Sequence, residues 1–97
     1  MTSTILEILQ QRVQTLSANL EKTQSKIALT HEQIKQNQNR LAEAQKTGDL
    51  NTVRECLSLQ QQLEEQIPAL EKSLTNIQKS HRLFERQLAQ NAAAKAL

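Results

Sequence analysis

The sequence predicts an all-α protein in which two long antiparallel helices form a coiled-coil hairpin, the second helix kinked at Pro68 and the hairpin assembling into a helical bundle. Three observations predict it. Apolar residues recur at alternating spacings of three and four along most of the 97-residue chain. Gly48 and Pro68 are the only glycine and proline, too little punctuation for the turns of a sheet or a many-helix fold. Phe84 is the only aromatic residue, so the core must be built from Leu, Ile, Val and Ala, which suits a narrow helical seam.

The first helix is expected over residues 4–46. Thr4 followed at the third position by Glu7 can form a capping box, in which the two side chains satisfy orphan backbone amides at the helix start. With Leu6 placed at heptad position a, Leu6, Val13, Leu20, Ile27, Ile34 and Leu41 occupy every a position. The d positions carry Leu9, Leu16, Thr23, Thr30, Asn37 and Ala44, so the middle of this seam is thinly apolar. A tight turn is expected over 47–50, because Gly48 can adopt the left-handed conformation that ends a helix and Asp49 or Asn51 can cap the next one.

The second helix is expected over residues 51–92, with Val53, Gln60, Ile67, Leu74, His81 and Leu88 at a and Cys56, Leu63, Leu70, Ile77, Phe84 and Asn91 at d. Pro68 falls at b, facing solvent. Leu70, Leu74 and Ile77 keep phase with Val53 and Leu63 across it, so the axis continues through a kink instead of folding back as a third helix. Residues 1–97 are thus read as a single helical-hairpin domain.

Folding the chain at Gly48 pairs residues whose numbers total about 97, and every a then faces a d. The layers include Leu9 with Leu88, Val13 with Phe84, Leu20 with Ile77, Ile34 with Leu63 and Leu41 with Cys56. The polar misfits coincide as well: Asn37 faces Gln60, a register-setting polar layer that costs stability and penalises slipped pairings. Arms of about 42 residues at about 1.5 Å rise give a rod of roughly 60 Å.

Six apolar residues fall off the seam: Ile5, Ile8 and Leu29 on the first helix and Leu57, Leu59 and Leu83 on the second. They form the candidate interaction surface. Arg12, Lys26 and Arg40 all lie at g on one flank, while Glu64, Glu71 and Glu85 lie at e on the opposite one. A two-helix seam buries little area for a chain of this size, so self-association into a bundle, as a homodimer, is expected.

Chemistry finds no support in the residue pattern. His31 and His81 lie level with Gln66 and Leu16, about 15 residues or some 22 Å apart along the rod, so they cannot share a metal. Cys56, near the turn, reads as a small hydrophobe in the seam. His81 at a core position is either a satisfied seam histidine or a group whose protonation loosens the bundle. Glu64 and Glu65 are adjacent and point about 100° apart, which excludes a convergent acid pair. With one glycine there is no phosphate loop, and no Ser or Cys has a His and an acid within reach. The expectation is a protein that is not an enzyme, with no cofactor, no metal and no small-molecule substrate.

Twelve Lys and Arg against ten Asp and Glu give a net charge of +2, with the two signs interspersed. The densest basic cluster, Lys72, Lys79, Arg82 and Arg86 with Arg12 across the hairpin, lacks the aromatic residues that stack on single-stranded nucleic acid and is too sparse for a DNA-reading helix. No stretch approaches the roughly 20 apolar residues of a membrane span, and the N-terminus lacks the basic start and apolar run of a leader. Cytoplasmic localisation is expected, a single cysteine being compatible with a reducing compartment.

Over Gln66, Ile67 and Pro68 and their flanking heptads, about a third of the chain, the sequence resembles the tubulin-binding cofactor A family, which also carries a proline within a long second helix. That resemblance implies a small helical assembly factor or chaperone that binds a tubulin subunit through its helical faces. The residues themselves point first to a structural or adaptor protein acting through coiled-coil protein–protein interaction, with itself or another helical protein as partner. A nucleic-acid-binding regulator ranks third.

Overall fold

A computed structural model of the chain describes residues 4–96; residues 1–3 and 97 of the expected 1–97 domain lie outside the described residues. It is a helical hairpin of two elements, α1 over Ile5–Thr47 and α2 over Leu50–Ala96. α2 extends past the expected end at 92 because Ala92, Ala93 and Ala94 favour helix and nothing there breaks it. It also runs through Pro68 as one uninterrupted helix. Pro68 and Glu64, whose carbonyl loses its usual amide donor there, both occupy exposed positions.

The heptad reading describes the burial. In α1 all twelve a and d positions from Leu6 to Ala44 are buried or half-buried, and Ser17 is the only other residue of α1 that is. In α2 the a and d positions from Val53 to Leu88 are likewise buried or half-buried, but so are Thr52, Gln78, Ser80 and Gln87 outside them, while Asn91 at the last d is exposed. The deepest apolar side chains are Leu9, Ala44, Cys56 and Leu63. Thr30, buried at a d position, satisfies its hydroxyl by donating 2.8 Å to the Lys26 carbonyl one turn back.

The turn compresses two helix ends into two residues. Gly48 takes φ 75°, and the Asp49 amide donates 3.0 Å to the Ala44 carbonyl, the long-range bond of a Schellman stop. Asp49 then caps α2: the Thr52 amide donates to Oδ1 at 3.2 Å and the Thr52 hydroxyl to Oδ2 at 2.6 Å. At the start of α1 the Thr4 hydroxyl accepts the Glu7 amide at 3.2 Å, the forward half of the expected capping box.

A Cβ at Gly48 would meet nothing within 4 Å, so the only obstacle to a side chain is the left-handed backbone. Gly48→Ala is expected to lower stability by about 1–2 kcal/mol, with Gly48→Asn costing less; urea unfolding with an unchanged slope is the measurement. The two Thr52 hydrogen bonds, hydroxyl first, hold the Asp49 carboxyl below its ordinary value. Their stabilisation is therefore present above the unfolded carboxylate pKa of about 3.9 and is lost as pH falls through the lower folded value. The melting temperature of Asp49→Asn should lie below that of the parent at neutral pH, and the gap should close in acid. A gap independent of pH would exclude this role for the carboxylate.

Close contacts divide the structure into two compact units. One is Gln24–Lys72, the turn with the parts of α1 and α2 that lead into it; the other joins the described residues up to Thr23 with those from Ser73 onward. In the turn unit Arg40 meets Glu55 at 3.2 Å, and both side chains are more than half exposed, so the pair adds little stability. In the other unit the Arg12 guanidinium lies 5.8 Å from the centre of the Phe84 ring. Both contacts fall in the register expected from folding at Gly48.

Candidate functional site

The polar layer at Asn37 takes a form that sequence does not specify. Asn37 is only 4% exposed, and its Nδ2 donates 2.7 Å to the backbone carbonyl of Cys56, not to the Gln60 side chain. The expected level is nevertheless right, because in an α-helix the Cys56 carbonyl is the acceptor for the Gln60 amide. Gln60 turns its Nε2 outward to Glu64 at 3.1 Å. Asn37 Oδ1 and Gln60 Oε1 are both buried and accept no hydrogen bond. Such acceptors each cost about 1–3 kcal/mol, so this layer is a weak point in an otherwise apolar stretch.

Beside it, two open grooves run along the same side of the turn unit. The first, about 260 Å³, is lined by Gln33, Gln36, Asn37, Arg40, Leu59 and Leu63. The second, about 430 Å³, is lined by Lys26, Leu29, Thr30, Gln33, Gln66, Ala69 and Leu70. Gln33 belongs to both, so the two are continuous. All twelve lining positions except the half-buried or buried seam residues Thr30, Asn37, Leu63 and Leu70 are exposed g or c positions.

The six candidate surface residues are all exposed, and they divide between the units. Leu29, Leu57 and Leu59 belong to the turn unit, where Leu29 and Leu59 border the grooves and Leu57, at e, lines neither. Ile5, Ile8 and Leu83 belong to the other unit, where Ile8 borders a groove with Arg12, Leu16 and Phe84, and Ile5 a second with Asn91. Leu50, 68% exposed, is a further apolar surface residue that the sequence reading passed over because it sits in the turn. Its e position in the second helix's heptads was the available signal.

His81 is a satisfied seam histidine. Its ring is enclosed on one edge by Ser17 Oγ, 2.8 Å from Nε2, and on the other by Glu85 Oε1, 3.2 Å from Nδ1. This corrects the expectation that no serine has a His and an acid within reach: heptad counting places His81 level with Leu16 and overlooks the neighbouring Ser17. A neutral ring can donate from Nδ1 to the carboxylate and accept the Ser17 hydroxyl at Nε2. A protonated ring can donate to both, since the hydroxyl serves either role. Protonation therefore breaks neither contact, and the geometry gives no reason for the helices to part in acid. Cys56 is fully buried and unpaired, its environment that of a small hydrophobe. His31 stands exposed on α1. Among the described residues no group of three or more His, Cys, Asp or Glu side chains is placed to hold a metal ion, and no helix is long and apolar enough to cross a membrane.

Comparison with known proteins finds no matching family model, no similar curated protein and no similar solved structure.

Proposed function

We propose that this chain is a non-enzymatic structural or adaptor protein of the cytoplasm that acts through coiled-coil protein–protein contacts, and that it self-associates as a dimer. The observation that carries the reading is the set of large apolar side chains left exposed outside the seam, of which Leu59 and Leu29 each line one of the two adjoining grooves. The thin seam supports it, since only a few side chains in each helix are fully withdrawn from water. A helix pair of this kind gains most by burying a second face.

Light scattering across a concentration series, with circular dichroism on the same samples, tests the proposal. A helical dimer that persists below micromolar concentration is the expected result. A folded monomer throughout would overturn self-association and favour the second reading, a chaperone-like assembly factor of the tubulin-binding cofactor A kind. The exposed leucines would then be the surface that receives a different protein. Binding to nucleic acid that weakens steeply with salt would point instead to the third class.

A further inference from the structure

Ser17, the half-buried residue of α1 that lies outside its a and d positions, is held against a histidine. Its Oγ lies 2.8 Å from His81 Nε2, and the opposite ring nitrogen, Nδ1, lies 3.2 Å from Glu85 Oε1. Hydroxyl, imidazole and carboxylate thus stand in the order that activates a serine. A carboxylate that accepts from Nδ1 fixes the tautomer whose Nε2 is free to take the hydroxyl proton. His81 and Glu85 are one turn apart on α2, so the helix itself sets their pairing, and all three residues fall within one compact unit. The Glu85 side chain is 54% exposed and that of His81 17%, which puts the cluster at the rim of the seam, within reach of a dissolved reagent.

We infer that Ser17 is a nucleophile that accepts an acyl group from an activated donor, an ester or acyl phosphate with a good leaving group. His81 is its general base, and Glu85 positions the ring. As the bond from Oγ to the carbonyl carbon forms, the hydroxyl proton passes to His81 Nε2. The bond from that carbon to the leaving oxygen then breaks, its electron pair departs with the phenolate or phosphate, and the imidazolium gives up the proton to it. Backbone amides within both helices are spent on helical carbonyls, so no pair of them is free to stabilise the oxyanion. The donor must therefore bring a leaving group that departs without such help, and the acyl-serine, once formed, persists. The result is a covalent modification site on the adaptor, not a turnover, and it stands whether or not the chain self-associates.

The test treats the intact chain with an alkyl fluorophosphonate, whose P–F bond is replaced by a stable bond to a serine Oγ, and maps the adduct by peptide mass. Ser25 and Ser58, both exposed at f positions, are internal controls that accessibility alone would favour. Ser17 is expected to react about a hundredfold faster than either. In His81→Gln that preference should disappear while circular dichroism stays helical, and added imidazole should restore it in His81→Ala. Glu85→Gln should slow labelling about tenfold, the worth of one hydrogen bond to a charged group, with Glu85→Asp recovering most of the rate. Equal labelling of the three serines, an adduct on His81 itself, or an undiminished rate in His81→Gln would overturn the proposal; an undiminished rate in Glu85→Gln would overturn the role of the carboxylate. Should a variant unfold, the parent alone decides. Its preference for Ser17 should vanish in urea, and a preference that survives unfolding would trace the reactivity to local sequence and overturn the site.

Discussion

Leu63→Ala should be the most damaging single truncation in the turn unit, lowering unfolding free energy by about 2–4 kcal/mol at fixed protein concentration. Leu63 is 5% exposed and lies at a d position of α2. It also forms one wall of the groove beside Asn37. Truncation removes buried methyl groups and opens the polar layer to the groove. The surrounding helices cannot collapse to refill the space without breaking register, although water entering from the groove should keep the loss below the largest cavity penalties. Against a typical total of about 5–15 kcal/mol, such a loss can leave a marginal hairpin largely unfolded at physiological temperature. Leu57→Ala is the internal control: it is the same chemical change six residues away at a position 53% exposed, and should shift stability by no more than about 0.5 kcal/mol. Urea unfolding of the two variants beside the parent makes the comparison, and equal effects would refute the seam assignment.

The opposite sign is expected from the polar layer. Replacing both Asn37 and Gln60 by leucine should raise stability by about 1–3 kcal/mol, because two buried acceptors without partners disappear and apolar surface takes their place. Little is lost in exchange. The Cys56 carbonyl that accepts from Asn37 keeps its helical partner, the Gln60 amide. The gain should bring looser specificity, since a buried polar residue at a seam position penalises shifted registers and alternative assemblies. Thermal melting together with solution mass separates the two effects: a higher melting temperature accompanied by higher or mixed oligomers is the expected outcome. A large destabilisation would mean that the Asn37 bond to the Cys56 carbonyl holds the helices together more than the orphan oxygens weaken them.

How legible this protein was in its sequence depends on the kind of interaction concerned. The helices, their seam and the turn follow from information that is local or strictly periodic. A three-and-four apolar spacing selects a helical stripe, a single glycine placed between two such stripes selects the reversal, and the requirement that a meet d leaves one register. Leu6 through Ala44 and Val53 through Leu88 therefore occupy the environments their spacing predicts. Even the level of the Asn37 layer was legible, because level along a hairpin follows from counting residues.

Tertiary structure alone decided where side-chain polar groups bond and which apolar residues share a surface. Asn37 reaches the Cys56 carbonyl instead of the facing amide, and His81 is enclosed by Ser17 and Glu85. Leu29 and Leu59 flank grooves while Leu57 does not. A heptad letter specifies direction around a helix to within tens of degrees, which suffices to divide core from solvent. A hydrogen bond is won or lost over a few tenths of an ångström, and a groove depends on the sizes of neighbours brought from both helices at once, such as Thr30 beside Ala69. That is the physical reason the sequence by itself determined the scaffold of this protein, while the detail of its surfaces and polar contacts awaited the packed helices.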